Sequence, residues 1–223
     1  NKRDVFPAYA TIKRSMTPKR ILIDTDPGID DALAILLALA SPELHVEGLT
    51  VVHGNCSVEQ GSRNALAILE LVCTGGIPVA QGCGLPLVQA ALLAPETHGD
   101  GGLGYARLPE PAAHSASRHA VDFLIDTLLA SPGEITVAAI GPLTNLAAVL
   151  AREPALAPRV TRVIAVMGRR PGHRFHPSEN RATGAMLFGH GPIFRDLNAV
   201  LDTEAVAVVL ASGVPVVLVP YTA

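Results

Sequence analysis

Four aspartates lie within eight residues of one another in the segment RILIDTDPGIDDA, residues 20–32. Asp24, Asp26, Asp30 and Asp31 directly follow an apolar run, which distinguishes them from an ordinary solvated acidic patch. Carboxylates this close repel one another, and the repulsion raises their pKa values at a cost in free energy. A bound cation would offset that cost. A cluster of oxygen ligands suits a hard divalent ion, Ca²⁺ or Mg²⁺, rather than zinc.

The positions of these aspartates also permit simpler roles. Asp24 and Asp26 share one face of an extended segment, so Asp24 alone could accept buried backbone hydrogen bonds. Asp30 or Asp31 alone could cap the helix predicted after the proline-glycine turn, because a helix N-terminus favours anions. These roles do not explain all four carboxylates together. A metal with a carboxylate beside it is a hydrolytic centre, in which the metal lowers the pKa of a water and the carboxylate removes its proton.

The elements that position these residues alternate along the chain. Short apolar runs rich in β-branched residues predict strands, and the helical periodicity between them predicts helices. This alternation is typical of an α/β fold, so we expect an open, mostly parallel sheet with helices on both faces, a Rossmann-like core. The predicted strands are 20–24, 45–54, 77–82, 134–141, 162–168 and 214–221, and the predicted helices are 30–40, 58–73, 115–131, 142–153 and 202–212.

Polar residues follow the ends of these strands. Asp24 and Asp26 end the first strand, His53 and Asn55 end the second, and residues 141–145 follow the strand at 134–141. In open parallel sheets the ligand binds beyond the carboxyl ends of the strands. We therefore expect these residues to meet in one site at that edge of the sheet.

The segment DTDPGIDDA, residues 24–32, resembles the N-terminal signature of the nucleoside hydrolases, the inosine-uridine preferring, calcium-dependent N-ribohydrolases. Nearly every position of this nine-residue pattern matches, in the expected strand–turn–helix setting. The resemblance implies that a calcium-activated water hydrolyses the N-glycosidic bond of a ribonucleoside to free base and ribose. It covers roughly residues 18–222 in the family's order, through VVHGN (51–55), HGDGGLG (98–104), GPLTNLA (141–147), MGRR (167–170) and RDLN (195–198).

The resemblance implies a set of residues around a calcium ion. Asp26 would be a metal ligand and also the general base toward the attacking water, and Asp31 would be a second ligand. Ile140 would contribute its main-chain carbonyl, so its side chain is free to vary. Asp24 would support the metal site, and Asn55 would lie beside the ribose and the water.

The resemblance also implies residues that hold the substrate. Asp30 would bind ribose hydroxyls and Asn198 would hold the ribose, while Asp196 stands where the family usually has a glutamate for the 5′-hydroxyl. His98 would lie in a loop near the base. Cleavage builds positive charge on the ribose, as in other glycoside hydrolysis, and the carboxylates around the sugar would stabilise that charge.

Two regions depart from the family pattern. The segment 169–197 is longer and more basic than usual, which leaves the preferred base open. Its histidines, His173, His176 and His190, could be interpreted as zinc ligands, but no cysteine or carboxylate spacing supports this. We expect residues 1–15 to be an N-terminal extension or an expression remnant, and residues 16–223 to be one nucleoside hydrolase-like domain without the family's C-terminal part. That part normally supplies a histidine and an aspartate, so we expect low activity from the 223-residue chain alone.

The composition argues against other classes of partner. The longest apolar stretch, residues 32–40, is too short to cross a bilayer, which takes about 20 residues. With a net charge of −3, the chain has no excess of basic residues with which to bind nucleic acid. An odd number of cysteines and the lack of an apolar leader indicate free thiols in a reducing compartment, so we expect a cytoplasmic protein. We also expect a homo-oligomer whose partner is a ribonucleoside.

Two other functions stay open from the residues alone. A phosphohydrolase of the haloacid-dehalogenase type also places two aspartates after a strand, but its motif usually continues with Gly-Thr, whereas Pro27-Gly28 follows here. A non-catalytic nucleoside-binding protein or a degenerate family member is the other alternative. Base release, phosphate release and binding without turnover distinguish the three.

Overall fold

The computed structural model describes residues 17–72, 75–168 and 196–220. The predicted extension at 1–15, most of the segment 169–197, and the three histidines His173, His176 and His190 lie outside the described residues.

Within these described residues, six strands form one open, fully parallel sheet. They are β1 (Lys19–Thr25), β2 (Leu44–Val51), β3 (Val79–Gln81), β4 (Ile135–Ala139), β5 (Arg162–Val166) and β6 (Val216–Val219). Their order across the sheet is β3-β2-β1-β4-β5-β6, so successive strands are added on one side of β1 and then on the other. The carboxyl end of β1 is thus the topological switch point, where sheets of this type bind ligands.

Helices cover both faces of the sheet, as the alternating pattern predicts. Alternate residues of a strand point to opposite faces, and Leu22 belongs to one hydrophobic core while Ile21 and Ile23 belong to a second. The helices are α1 (Ile29–Ala40), α2 (Val58–Leu71), α3 (Pro95–His98), α4 (Ala120–Ala130), α5 (Thr144–Arg152), a 3₁₀ helix (Pro154–Arg159), α6 (Leu197–Leu201) and α7 (Thr203–Ala211). The first core includes residues of α4, α5 and α7, and the second includes residues of α1 and α2.

The prediction of a helix from residue 115 is wrong at its start. The helix α4 begins at Ala120, and His119 caps it by accepting a hydrogen bond from the Val121 N–H. Before it, Ala116 forms an isolated parallel bridge with Ala80 of β3, and its N–H donates to the Val79 carbonyl at 2.8 Å. A long-range backbone bond therefore takes residues that the local pattern assigned to a helix.

Among the described residues, no helix combines the length and the apolar character that crossing a membrane demands.

Two leucines of α2 allow a matched test of the second core. Leu69 is 4% exposed and packs in that core, whereas Leu71, two residues later, is 58% exposed. Leu69→Ala should lower the free energy of unfolding by about 2–5 kcal/mol, because it leaves a cavity. Leu71→Ala should change it by no more than about 0.5 kcal/mol. Urea denaturation of both variants measures these values, and equal losses would contradict the described packing of α2.

Candidate active site

The four aspartates of the sequence motif differ sharply in burial. Asp24 lies in β1, Asp26 follows that strand, and Asp31 lies in the first turn of α1; they are 0%, 1% and 4% exposed. The side chain of Asp30, beside Asp31 in sequence, is 83% exposed. Three carboxylates are therefore withdrawn from water at the carboxyl end of β1, and the fourth lies at the surface.

Asp31 is held by hydrogen bonds to both of its oxygens. Its Oδ1 accepts from the Thr25 hydroxyl at 2.6 Å, and its Oδ2 accepts from the Gly28 N–H at 3.1 Å and the Asn55 amide at 3.0 Å. Burial raises the pKa of Asp31 to about 6, the charge of Asp30 adds to the rise, and these hydrogen bonds oppose it. The contacts fix the orientation of Asp31.

Asp26 is held by only one of its oxygens. Its Oδ2 accepts from the main-chain N–H of Asn55 at 2.8 Å, while its Oδ1 is buried and has no hydrogen-bond partner among the described residues. Burial raises the pKa of Asp26 well above its usual value, and the nearby charge of Asp31 raises it further. A buried carboxylate oxygen without a donor is costly. The Oδ2 of Asp24 is also buried without a partner among the described residues, but Asp26 has the charge of Asp31 beside it as well, so a cation at Asp26 would offset more of the cost.

Two glycines make room for the Asp26 carboxylate. A Cβ at Gly54 would overlap its Oδ2, and a Cβ at Gly141 would lie 2.6 Å from its Oδ1. Gly54 follows β2 and Gly141 follows β4, the two strands that flank β1. Backbone from both sides of the switch point therefore closes around Asp26, and any larger residue at either position would displace it.

Asp24 anchors the strands beneath the site. Its Oδ1 accepts from the Thr50 hydroxyl at 2.6 Å and from the Asn145 amide at 2.8 Å, which ties β1 to β2 and α5. Asn145 also donates to the Val51 carbonyl and accepts from the Cys83 N–H. Burial raises the pKa of Asp24 to about 6. These contacts suit the supporting role that the resemblance implies for Asp24.

Ile140, which follows β4, and Asn198 are joined by a hydrogen bond. The Ile140 N–H donates to the Asp24 carbonyl at 2.8 Å, and the Ile140 carbonyl accepts from the Asn198 amide at 2.9 Å. The same amide donates to the Val166 carbonyl at 2.8 Å. Both amide protons of Asn198 are thus engaged with backbone carbonyls.

Asp196 begins the helix that carries Asn198. Its Oδ1 accepts from the Ala199 N–H at 2.9 Å, so it caps α6. Burial raises the pKa of Asp196, and hydrogen bonds from backbone N–H groups oppose the rise. A substrate hydroxyl would have to share this carboxylate with the helix N-terminus.

His98 lies against the turn that carries the aspartates. It is 7% exposed, its Nδ1 accepts from the Ile29 N–H at 3.2 Å, and the same nitrogen lies 3.9 Å from the Asp30 carboxylate. A Cβ on Gly28 would lie 2.6 Å from His98 and 2.5 Å from the Asn55 amide, so both side chains pack over this glycine. Burial lowers the pKa of His98, against the opposing effect of Asp30.

The oxygen atoms of this cluster fit a hard divalent cation. Asp26 offers a buried oxygen without a partner among the described residues, and Asp31 lies close enough for its charge to raise the pKa of Asp26. The backbone of Ile140 is hydrogen-bonded to the main chain of Asp24. Carboxylate and carbonyl oxygens are the ligands that calcium and magnesium prefer. Among the described residues no three histidine, cysteine, aspartate or glutamate side chains converge in a metal-binding group, so backbone or further ligands would have to complete the shell.

Sequence reasoning missed two residues that shape this site, Thr25 and Asn64. Thr25 holds Asp31, and Asn64 holds the turn by donating to the Pro27 carbonyl at 3.1 Å and to the Gly101 carbonyl at 2.8 Å. Thr25 lies inside the quoted motif DTDPGIDDA, and that position was the available signal, whereas Asn64 lies in a helix outside the quoted motifs. Asn145, which the sequence placed at this edge of the sheet, does hold Asp24.

The chain belongs to the nucleoside hydrolase family, because the family model of the inosine-uridine preferring nucleoside hydrolases matches residues 21–223. It is 38% identical over 198 residues to a pyrimidine-specific ribonucleoside hydrolase, RihA, of Salmonella enteritidis, a match that spans 89% of this chain and 58% of the relative. An uncharacterized protein of Schizosaccharomyces pombe is 40% identical over 202 residues, 90% of this chain and 60% of that protein.

Solved structures of the same family have a similar fold. A purine-preferring ribonucleoside hydrolase from Gardnerella vaginalis matches with a TM-score of 0.79 and 29% identity, over 91% of this chain and 60% of that one. A plant nucleoside hydrolase, the PpNRh1 enzyme, matches with a TM-score of 0.77 and 34% identity, over 92% and 61%. The chain therefore spans about three fifths of the length of the relatives it matches.

The buried carboxyls predict how stability depends on pH when a chelator removes divalent ions. The pKa values of Asp24 and Asp31 are raised to about 6, above the value of about 3.9 in an unfolded chain. Each group therefore stabilises the fold below the unfolded value and loses that contribution as the pH rises through about 6. The free energy of unfolding of the metal-free chain should fall over this interval, as urea denaturation at several pH values would show.

Two matched variants test whether Asp31 contributes to this fall in the free energy of unfolding. Asp31→Asn should make the fall shallower, because one of the contributing carboxyls is gone. Asp100→Asn, which changes an exposed aspartate, should leave the slope as it is. Identical slopes for Asp31→Asn and the unmodified chain would contradict the assigned burial of Asp31.

Proposed function

We propose that the protein hydrolyses the N-glycosidic bond of ribonucleosides to free base and ribose, with Ca²⁺ as its metal. The observation that carries this proposal is the buried, unpartnered Oδ1 of Asp26 beside Asp31 at the topological switch point. Membership of the nucleoside hydrolase family supports the reaction class. It also favours this reaction over the phosphohydrolase alternative.

Asp26 has the features of a general base. Its raised pKa makes the carboxylate more basic than an exposed aspartate, and a general base works best when its pKa lies near the working pH. The Asn55 N–H orients the carboxylate through Oδ2, so that Asp26 can hold the ion and also take a proton of the attacking water. The glycines at 54 and 141 keep this carboxylate in one place.

Asp26, Asp31 and the Ile140 carbonyl would hold the ion, with Asp24 supporting them from below. When bound, Ca²⁺ would lower the pKa of a neighbouring water and neutralise the buried carboxylates. Asn55 would keep Asp26 and Asp31 apart in defined orientations, since it donates to both.

The remaining residues would bind the nucleoside. The exposed carboxylate of Asp30 is free to accept hydrogen bonds from ribose hydroxyls. The side-chain oxygen of Asn198 and the carboxylate of Asp196 would meet the rest of the sugar, and His98 would lie near the base. Positive charge that develops on the ribose would be stabilised by the surrounding carboxylates.

The base preference stays open within this proposal. One relative is named pyrimidine-specific and another purine-preferring, so the relatives differ among themselves. Cytoplasmic location and homo-oligomerisation are part of the proposal; free thiols at Cys56 and Cys83 support a reducing compartment. Nucleoside binding without turnover would favour the alternative of a non-catalytic or degenerate family member.

Asp26→Asn and Asp30→Asn distinguish the base from the sugar ligand. Asp26→Asn keeps the shape but removes the proton acceptor, so the rate of nucleoside cleavage should fall by about 10²–10⁴, and Ca²⁺ affinity should fall as well. Asp30→Asn should keep Ca²⁺ affinity while KM rises, because the assigned contact is to ribose hydroxyls. Base release from inosine and uridine, with calorimetric Ca²⁺ titration, measures both. Near-normal turnover by Asp26→Asn would exclude it as the base.

Calcium should raise the melting temperature of the protein. An ion that binds only the folded state stabilises it by about 2.7 kcal/mol at a concentration 100 times its Kd. Thermal melts with Ca²⁺ and with chelator measure the change, and Asp31→Asn should weaken the response while Asp100→Asn, the exposed control, should keep it. If Ca²⁺ and chelator give the same melting curve, the metal assignment is wrong.

A further inference from the structure

A buried hydrogen-bonded chain of three side chains runs between the two halves of the sheet. His53 follows β2, Thr144 begins α5 and Asp202 caps α7; they are 0%, 1% and 0% exposed. The His53 Nε2 lies 3.0 Å from the Thr144 hydroxyl, which lies 2.7 Å from the Asp202 Oδ2. None of the three belongs to the metal or ribose set described above.

The direction of these hydrogen bonds follows from the number of protons available. Asp202 also accepts from the Leu87 N–H at 2.9 Å and the Ala205 N–H at 3.0 Å, so its carboxylate acts as an acceptor throughout. Thr144 has one hydroxyl proton and gives it to Asp202, so it must accept from His53. His53 therefore carries its proton on Nε2. Its Nδ1 is without a hydrogen-bond partner among the described residues.

The imidazole ring fixes a backbone segment that ends at the catalytic cluster. The His53 N–H donates to the Cys83 carbonyl at 2.9 Å, which holds one side of the segment. Two residues later, Asn55 donates from its main chain to Asp26 and from its side chain to Asp31. The 53–55 segment orients both aspartates, and the His53 side chain connects this same segment to α5 and α7.

We propose that His53, Thr144 and Asp202 form a positioning relay that holds the 53–55 segment, so that Asn55 keeps its hydrogen bonds to Asp26 and Asp31. The hydrogen bonds of the relay do not depend on the proposed function, but its expected effect on turnover does. Its three side chains are joined by the two hydrogen bonds described above and act on the reaction through Asn55. They are positioning residues, not catalytic ones.

Thr144→Val and Thr144→Ser test the relay as a matched pair. Valine keeps the shape of threonine without the hydroxyl, and serine keeps the hydroxyl. Residues that support metal-site ligands in this way typically change activity by about 10- to 100-fold when removed. We therefore expect Thr144→Val to lower kcat for inosine or uridine by about that factor, and Thr144→Ser to retain most of the turnover. Both variants are assayed at a temperature well below their melting temperatures.

A second measurement does not depend on turnover. Hydrogen exchange at the Asn55 main-chain N–H should be faster in Thr144→Val than in the unmodified chain, while the amides of α2 exchange as before. Should Thr144→Val fail to fold, His53→Leu and His53→Gln provide the same comparison, because glutamine retains an N–H donor near the position of Nε2.

The outcomes separate the relay from the proposed function. Faster exchange at Asn55 in a chain that cleaves no nucleoside would support the relay and overturn the proposed function. Normal kcat and normal Asn55 exchange in Thr144→Val would overturn the relay and leave the proposed function intact. Equal impairment of Thr144→Val and Thr144→Ser would also overturn the relay, because the hydroxyl would then be irrelevant.

Discussion

The burial of like charges at the carboxyl end of β1 is the constraint on which the rest of the site depends. Asp24, Asp26 and Asp31 are almost wholly withdrawn from water, and burial raises the pKa of each. Hydrogen bonds from Thr25, Asn55 and their neighbours offset part of this cost, but within the described part of the chain one oxygen of Asp24 and one of Asp26 have no donor. A site that holds negative charge in this way is predisposed to bind a cation and to stabilise a cationic sugar.

The fold meets this constraint by joining its two halves at the site. Because β1 lies between β2 and β4, segments that follow both flanking strands reach the aspartates. Asn55 comes from the β2 side and Asn145 from the β4 side, and each donates to an aspartate. Gly54 and Gly141 approach Asp26 from the same two sides. Cleavage chemistry on this scaffold would therefore depend on the alignment of the two halves, which the chain from His53 to Asp202 also spans.

Much of this arrangement could be predicted from the sequence because it follows from local pattern and parallel topology. The alternation of strand and helix patterns predicts a parallel sheet with helices on both faces. Because the carboxyl ends of parallel strands lie at one edge of the sheet, the same pattern predicts that Asp26 and Asn55 converge. Other features could not be predicted, because they depend on long-range packing. Periodicity does not reveal that Asp31 is buried while adjacent Asp30 is exposed. The start of α4 is set by the contact of Ala116 with β3, and the partner of His53 lies 91 residues away in the sequence.

Anomalous diffraction from crystals of the protein grown with Ca²⁺, and with Mn²⁺ as a stronger scatterer, is the direct test of whether Asp26 presents its free oxygen to a divalent cation. We expect one strong cation peak within about 2.3–2.6 Å of the Asp26 carboxylate for Ca²⁺, with Asp31 as a further ligand. A crystal that binds the cation elsewhere, with Asp26 bonded only to protein groups, would show that Asp26 is not a metal ligand.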